Sequence, residues 1–138
     1  MLRNPLAACA LLIAFTVLPY LPAVDAPFAY DDLPNIVTNP DAQPGSLREL
    51  PASMTHDTRQ HRPVARLTLG LNYLAHGLDP AGYRAVNIAI HAGVASLLLW
   101  LVVALAQAPG GRGLGRQRVV LAGLVDALLW ATHPVQTQ

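Results

Sequence analysis

Two long stretches without Asp, Glu, Lys or Arg constrain the fold of this chain more than any other feature of its sequence. The first covers residues 4–24 and the second covers residues 86–108. Each has about the 20 residues that a helix needs to cross a hydrocarbon layer of roughly 30 Å. Only 12% of all residues are charged and 53% are hydrophobic, whereas about a quarter of the residues of soluble domains are charged. The sequence therefore predicts an all-α integral membrane protein.

The first stretch predicts a transmembrane helix over residues 5–24. Arg3 precedes it and acidic residues follow it, so the positive-inside rule predicts a cytoplasmic N-terminus. The alternative is a signal peptide cleaved near Asp25, which would leave a secreted or anchored binding module. We favour a retained span because the apolar stretch is longer than a usual signal core and Pro27 would follow the cut.

The rest of the chain divides at a short linker rich in glycine and arginine. This linker, residues 109–118, carries three arginines, and the same rule predicts that it is cytoplasmic. The other predicted segments are an outer loop at 25–79, a second transmembrane helix at 80–108 and a third at 119–135. We therefore expect about three transmembrane helices, with the outer loop on the periplasmic or lumenal side.

The outer loop opens with two adjacent acids, Asp31 and Asp32. Such a pair can activate a hydroxyl group or hold a divalent cation such as Mg²⁺ or Mn²⁺. It can also be part of an ordinary solvated loop, and spacing alone favours that simpler interpretation. Farther along, residues 42–60 have no strong hydrophobic period, so we expect a mobile segment there.

Hydrophobic residues recur at spacings of three and four after Pro63, which predicts an amphipathic helix over residues 63–77. Outside the membrane, such a helix is expected to lie along the interface or to pack on the spans. Arg62 and Arg66 lie one turn apart at its start. They form either a solvated face or a phosphate-binding edge, and the residues alone favour the solvated face.

Polar residues follow one face of the predicted second span. Arg84, Asn87 and His91 occupy positions i, i+3 and i+7 at its outer end. Polar groups in a membrane helix mark a functional site by default, although Asn87 and His91 can also be structural hydrogen-bonding groups between helices. In the third span, Asp126 is costly unless it is paired, and we expect a partner on another helix. His133 follows at the outer end.

The charge and the cysteine content of the chain argue against a nucleic-acid partner and against an internal disulfide. The formal net charge is +1 and the sequence has no basic stripe, so we predict no nucleic-acid partner. Cys9 is the single cysteine, so no disulfide can form within the chain.

An ordered set of motifs in this sequence resembles a known membrane family. In chain order, they are Phe-x-Tyr-Asp-Asp, Arg-Pro, Leu-Asn-Tyr, Gly-Leu-x-Pro-x-Gly-Tyr, Asn-x-x-x-His and His-Pro-Val. From about Phe28 onward, the chain resembles the N-terminal part of the GT-C membrane glycosyltransferases of the transmembrane and tetratricopeptide-repeat O-mannosyltransferase type. Each motif alone is weak, whereas the ordered set is fairly specific.

This resemblance implies a function for the outer loop. Asp31 matches the catalytic acid of the family and Asp32 its neighbour, on the lumenal or periplasmic side of what we expect to be a bacterial inner membrane. The donor would be a sugar, such as mannose, linked to a polyprenyl phosphate, and the acceptor a hydroxyl group of a protein or glycan. Around this site we predict donor-phosphate binding by Arg62, Arg84, His91 and His133, structural polar roles for Asn87 and Asp126, and contacts with membrane lipid.

The sequence also departs from the family. Arg84 stands where relatives often have histidine. The family has many more spans and a C-terminal helical-repeat domain, so we expect this chain to be a fragment of a larger multi-spanning fold, inactive without the downstream helices. The alternative is a non-catalytic membrane scaffold or assembly partner that uses its polar residues for helix association.

Overall fold

The computed structural model of the chain describes residues 5–55, 62–108 and 115–133. All regular elements in these three ranges are helical, which confirms the all-α class. The α-helices are α1 (Pro5–Val17), α2 (Leu50–Thr55), α3 (Pro63–His76), α4 (Pro80–Gln107) and α5 (Arg116–Ala131). Residues 109–114 of the predicted linker and 134–135 of the predicted third span lie outside the described residues.

The chain divides into two compact units. Met1–Pro22 and Asn87–Gln138 form the first, which we call the terminal unit. Ala23–Val86 forms the second, which we call the loop unit because it contains the predicted outer loop.

The terminal unit begins with α1, which is followed by a 3₁₀ helix over Leu18–Ala23. Pro19 and Pro22 lie in this second segment and lack the backbone N–H that a continuing α-helix would need. The proline positions therefore explain why the α-helix ends while the chain stays helical. Together, the segments form an apolar stretch, Leu6–Ala23, long enough to cross a membrane.

Small and branched apolar side chains fill the core of the terminal unit. Leu12 and Leu99 are fully buried in this core. Gly123 allows α5 to approach α4 closely, because a Cβ atom at this position would lie 3.0 Å from Leu99 Cδ1. The other buried core residues are Ala8, Ala95, Val103, Val119, Val120, Leu124, Ala127 and Ala131.

Only two helical segments of the described residues have the length and hydropathy of a membrane span, Leu6–Ala23 and Pro80–Gln107. The third predicted span, residues 119–135, overlaps α5, which has 16 residues. A helix of that length extends about 24 Å, less than the roughly 30 Å of a hydrocarbon layer. The third span therefore stays a prediction.

The loop unit is more ordered than its sequence indicates. Within residues 42–60, where we predict a mobile segment, the structure has a short helix, α2 at Leu50–Thr55, and the mobility itself stays a prediction. Leu50, Ala42 and Pro44 are buried. Gly70 of α3 makes room for them, since a Cβ atom there would lie 2.7 Å from Leu50 Cδ2 and 3.3 Å from Pro44 Cγ. Residues 56–60 lie outside the described ranges.

The apolar stripe seen in the sequence of α3 is only partly buried. Its Val64 and Leu71 are exposed and its Leu67 and Leu74 are half-buried, whereas Gly70 and Asn72 outside the stripe are buried. The helix ends at Gly77, which has a φ of 62° and whose N–H donates to Tyr73 O at 2.7 Å. A positive φ strains other residues but not glycine. Exposed Val64 and Leu71 leave apolar surface on α3, and its interfacial position stays a prediction.

Candidate functional site

The two acids occupy a tight turn near the start of the loop unit. Tyr30 adopts a left-handed conformation with a φ of 48°. The N–H of Asp32 donates to Ala29 O at 3.0 Å. On the other side of the turn, Asp31 O accepts from the Asn35 side-chain Nδ2 at 2.7 Å and from the Asn35 backbone N–H at 3.2 Å. These local hydrogen bonds fix the backbone around both carboxylates.

The two carboxylates have different surroundings. Asp32 Oδ2 accepts a hydrogen bond from the backbone N–H of Ala29 at 3.2 Å, so this side chain helps to build the turn. Asp31 is exposed, and within the described ranges its carboxylate makes no hydrogen bond or ion pair. Asp31 is therefore the member of the pair with both oxygens available to a ligand.

Arg84 lies near the start of α4 and holds the segment that leads into this turn. Its Nε donates to Ala26 O at 3.0 Å, and its Nη2 donates to Pro27 O at 2.7 Å. A guanidinium group presents five N–H donors in a rigid fork. Two of these donors are used by backbone carbonyls. The predicted role of Arg84 in binding phosphate therefore depends on its remaining donors and stays a prediction.

An aromatic contact holds the next residue of the same segment. The rings of Phe28 and Tyr83 meet edge to face, with their centroids 5.4 Å apart, a favourable geometry for aromatic pairs. The buried Tyr83 donates its hydroxyl proton to Gly77 O at 3.1 Å. Gly82 permits the close packing beside it, because a Cβ atom there would lie 2.5 Å from His76 Cγ. The Gly-Leu-x-Pro-x-Gly-Tyr motif thus builds the support for the acidic turn.

The other predicted arginine site is separate from this contact set. Arg62 is exposed immediately before α3. Arg66, one turn later, has its Nη1 3.7 Å from Asp41 Oδ2. In the described part of the loop unit, no hydrogen bond or ion pair joins Arg62 to Asp31. Phosphate binding by Arg62 stays a prediction.

In the terminal unit, His91 lies in an aromatic cluster. Its Nε2 is 3.1 Å from Ala131 O, and its ring centroid is 5.8 Å from that of Tyr20 and 5.1 Å from that of Trp130. These contacts attach α4 to the end of α5. They give His91 a packing role, and its predicted phosphate role remains untested.

The remaining predicted polar residues of the terminal unit are exposed. His133 follows α5, and its backbone N–H donates to Trp130 O at 3.3 Å. Asn87 and Asp126 lie on exposed positions of α4 and α5. Asp126 is exposed, whereas Gly123 and Ala127 of the same helix are buried. Their structural polar roles stay predictions.

A divalent cation needs more ligands than the acid pair supplies. Across 5–55, 62–108 and 115–133, no group of three or more His, Cys, Asp and Glu side chains converges. Mg²⁺ takes oxygen ligands in near-octahedral geometry and often completes its shell with water and substrate phosphate. Asp31 could contribute carboxylate oxygens to such a shell, whereas one oxygen of Asp32 already accepts a hydrogen bond. Mg²⁺ or Mn²⁺ at this site is therefore a prediction.

Sequence reasoning missed the residues that hold the acidic turn. Tyr83 and Asn35 were not recognised as part of the site, although Asn35 lies four residues after Asp31, a spacing typical of a local turn. Contacts from Arg84 to backbone carbonyls have no sequence signal, because any residue provides a carbonyl. Their recognition required the three-dimensional arrangement.

No protein-family model and no solved structure matches the chain. Several curated proteins are similar to the chain. Over 91% of the chain, it is 35% identical to protein O-mannosyl-transferase tmtc2 of Xenopus laevis. It is 30% identical to protein O-mannosyl-transferase TMTC1 of Homo sapiens over 97%, and 37% identical to protein O-mannosyl-transferase Tmtc1 of Drosophila melanogaster over 96%. The chain spans about 15% of the length of each of these relatives.

Proposed function

We propose that this chain, which resembles the protein O-mannosyl-transferases of the TMTC type over most of its length, is the acid-bearing part of a membrane glycosyltransferase. The apolar helices and this resemblance together indicate a membrane protein. The observation that carries the proposal is the exposed Asp31 carboxylate, free of protein partners in the described residues and fixed on a hydrogen-bonded turn. The relatives' names supply the class of reaction.

In the proposed reaction, Asp31 acts as a general base toward an acceptor hydroxyl of a protein or glycan. The carboxylate takes the hydroxyl proton as the acceptor oxygen attacks the anomeric carbon of a polyprenyl-phosphate-linked sugar such as mannose. The bond from that carbon to the phosphate oxygen breaks, and the phosphate leaves with the electron pair. Within the loop unit, Arg62 is the proposed donor to the leaving phosphate, because preorganised cationic groups stabilise developing negative charge.

The proposed topology places this chemistry on the outer face of the membrane. A cytoplasmic N-terminus follows from Arg3, and a cytoplasmic linker follows from the arginines of 109–118. α5 would form the third span, and the exposed Val64 and Leu71 of α3 would lie at the interface. A bacterial inner membrane is part of this proposal, whereas the relatives named above are animal proteins.

A chimera tests the role of Asp31. The segment of the Xenopus laevis relative that aligns with this chain is replaced by the chain, and sugar transfer from polyprenyl-phosphate mannose to a hydroxyl acceptor is measured. General acid–base catalysis contributes about 10²–10⁴-fold, so Asp31→Asn should lower the rate of transfer by about 100-fold or more. Asp25→Asn is the matched control, because Asp25 is an exposed acid outside the turn, and its rate should stay within about twofold.

Two outcomes would contradict the proposal. Undiminished transfer by the Asp31→Asn chimera would show that this carboxylate is not the base. A chimera that inserts in the membrane but transfers no sugar, with or without Asp31, would favour the membrane scaffold. EDTA followed by Mg²⁺ or Mn²⁺ addition to the same chimera tests the predicted cation.

A further inference from the structure

On its C-terminal side, the acidic turn continues into residues held by Gln43, which donates to Ile36 O and Val37 O, and on its N-terminal side it is held through the residues directly before it. Within the turn, the hydrogen bonds of Asp31 and Asp32 connect residues close in sequence. Such bonds fix a local shape but do not connect the turn to α4. The hydrogen bonds from Arg84 to Ala26 O and Pro27 O instead cross sequence separations of 58 and 57 residues.

We propose that Arg84 is a positioning residue for Asp31, and that its principal function is to clamp the backbone of the acidic turn. This inference rests on the proposed function in one respect, which is that Asp31 is the catalytic base. Arg84 acts on Asp31 through the Ala26 and Pro27 carbonyls. It differs in this from a residue that contacts the donor phosphate directly.

The chemistry of the clamp requires arginine. Ala26 O and Pro27 O are successive carbonyls, and two different nitrogens of one planar guanidinium group reach them. Hydrogen bonds from a charged donor are stronger than those between neutral groups. Lysine would keep the positive charge but presents it as a compact ammonium without the fork. Neutral histidine would offer a single N–H donor.

The contact between Phe28 and Tyr83 supports the same segment independently. The Tyr83 residue is 3% exposed, and its ring meets Phe28 edge to face. Tyr83 is next to Arg84 in the first turns of α4. The aromatic contact and the guanidinium clamp therefore hold three successive residues, Ala26, Pro27 and Phe28.

Hydrogen exchange on the full chain in lipid nanodiscs tests the clamp without any need for catalysis. Arg84→Ala should speed exchange of the Ala29, Asp32 and Leu33 amides by about tenfold or more, since charged hydrogen bonds that hold the turn are lost. Exchange in α3 should stay unchanged, which shows that the unit is still folded. Arg84→Lys should also fail to restore slow exchange, because the fork is absent.

Two variants serve as controls for the exchange experiment. Arg48→Ala removes an exposed arginine of the same unit and should leave exchange of the turn within about twofold. Tyr83→Phe keeps the ring that meets Phe28 and removes the hydroxyl group that donates to Gly77 O. It should likewise preserve slow exchange of the Ala29 amide. Unchanged exchange of that amide in Arg84→Ala would overturn the proposal.

Kinetics of the chimera separate positioning from phosphate binding. A positioning role predicts that Arg84→Ala lowers kcat by about tenfold or more, with the KM for the polyprenyl-phosphate donor within about twofold. A raised donor KM at constant kcat, with Arg84→Lys active, would overturn the positioning role. If exchange quickens while every chimera is inactive, the clamp is supported and the proposed function fails. The two failures are therefore distinguishable.

Discussion

In the terminal unit, side chains from α1, α4 and α5 form an apolar core, whereas the loop unit relies heavily on hydrogen bonds from side chains to the backbone. Leu12 and Leu99 represent the first kind of stabilisation. Gln43 represents the second, because its Nε2 donates to both Ile36 O and Val37 O at 2.8 Å. We therefore expect the loss of side-chain volume to destabilise the terminal unit most, and the loss of a hydrogen-bond donor to affect mainly the loop unit.

This difference also separates scaffold from site. Apolar packing between helices tolerates few changes of volume and gives a rigid unit. Polar clamps hold irregular backbone in one conformation, which a reactive carboxylate on a turn requires. Asp31 lies in the unit that is stabilised in the second way, and the aromatic cluster of His91 lies in the first. The contrast leads us to expect catalytic sensitivity mainly in the loop unit.

The largest effect on stability is expected from Leu99→Ala in the terminal unit. Leu99 is fully buried, and large-to-small substitutions in cores typically cost about 2–5 kcal/mol. Leu101→Ala is the matched control, since Leu101 is 54% exposed and its removal leaves no internal cavity. Unfolding of the reconstituted chain by denaturant measures both. Equal losses for the two variants would show that the proposed core does not determine stability.

A smaller effect is expected from Gln43→Ala in the loop unit. The variant loses the donor to Ile36 O and Val37 O, and a typical intramolecular hydrogen bond contributes about 0.5–1.5 kcal/mol. Hydrogen exchange of residues 33–43 should quicken, while exchange of α5 should not change. Gln107→Ala, at an exposed position of α4, is the control. Faster exchange in both units would contradict the view that each unit has its own stabilising interactions.

The sequence predicted the helical elements well where hydrophobic residues are continuous or periodic. The stretch 86–108 contains no Asp, Glu, Lys or Arg, and α4 covers most of it. α2 was missed because it is only six residues long, less than two turns, so a hydrophobic pattern cannot repeat within it. For α3, the spacing of apolar residues predicted a helix, but the packed face was defined by Gly70, which a search for hydrophobic residues overlooks.

Recognition of the candidate site was uneven for a physical reason. The acids were visible because two adjacent carboxylates carry chemistry in their side chains. The different environments of Asp31 and Asp32 were not visible, since the distinction depends on one backbone N–H of Ala29. Likewise, Arg84 was recognised as a polar residue on an apolar helix. Its partners, two backbone carbonyls 58 and 57 residues earlier in the chain, were not visible in the sequence.

The smallest expected effect concerns acid pH and the segment before α2. The Gly45 N–H donates to Glu49 Oε2, and the Ser46 hydroxyl donates to Glu49 Oε1, each at 2.9 Å. These bonds, the first above all, hold the pKa of the Glu49 carboxyl below its ordinary value. A carboxyl whose pKa is lowered by folding stabilises the folded state above the ordinary pKa of about 4.3, and this contribution is lost as the pH falls through the lowered pKa.

We therefore expect the Gly45 amide to exchange faster, after correction for intrinsic rates, as the pH falls below about 4. Glu49→Gln should remove most of this pH dependence, because the amide group does not titrate in that range. The effect should be confined to the neighbourhood of residues 45–49, since Glu49 is fully exposed and solvent screens its charge. The core of the terminal unit contains no titratable carboxyl among its buried described residues, so its exchange should stay constant over the same pH range. A parallel change in both units would mean that their stabilities are coupled and that the polar and apolar interactions do not act independently.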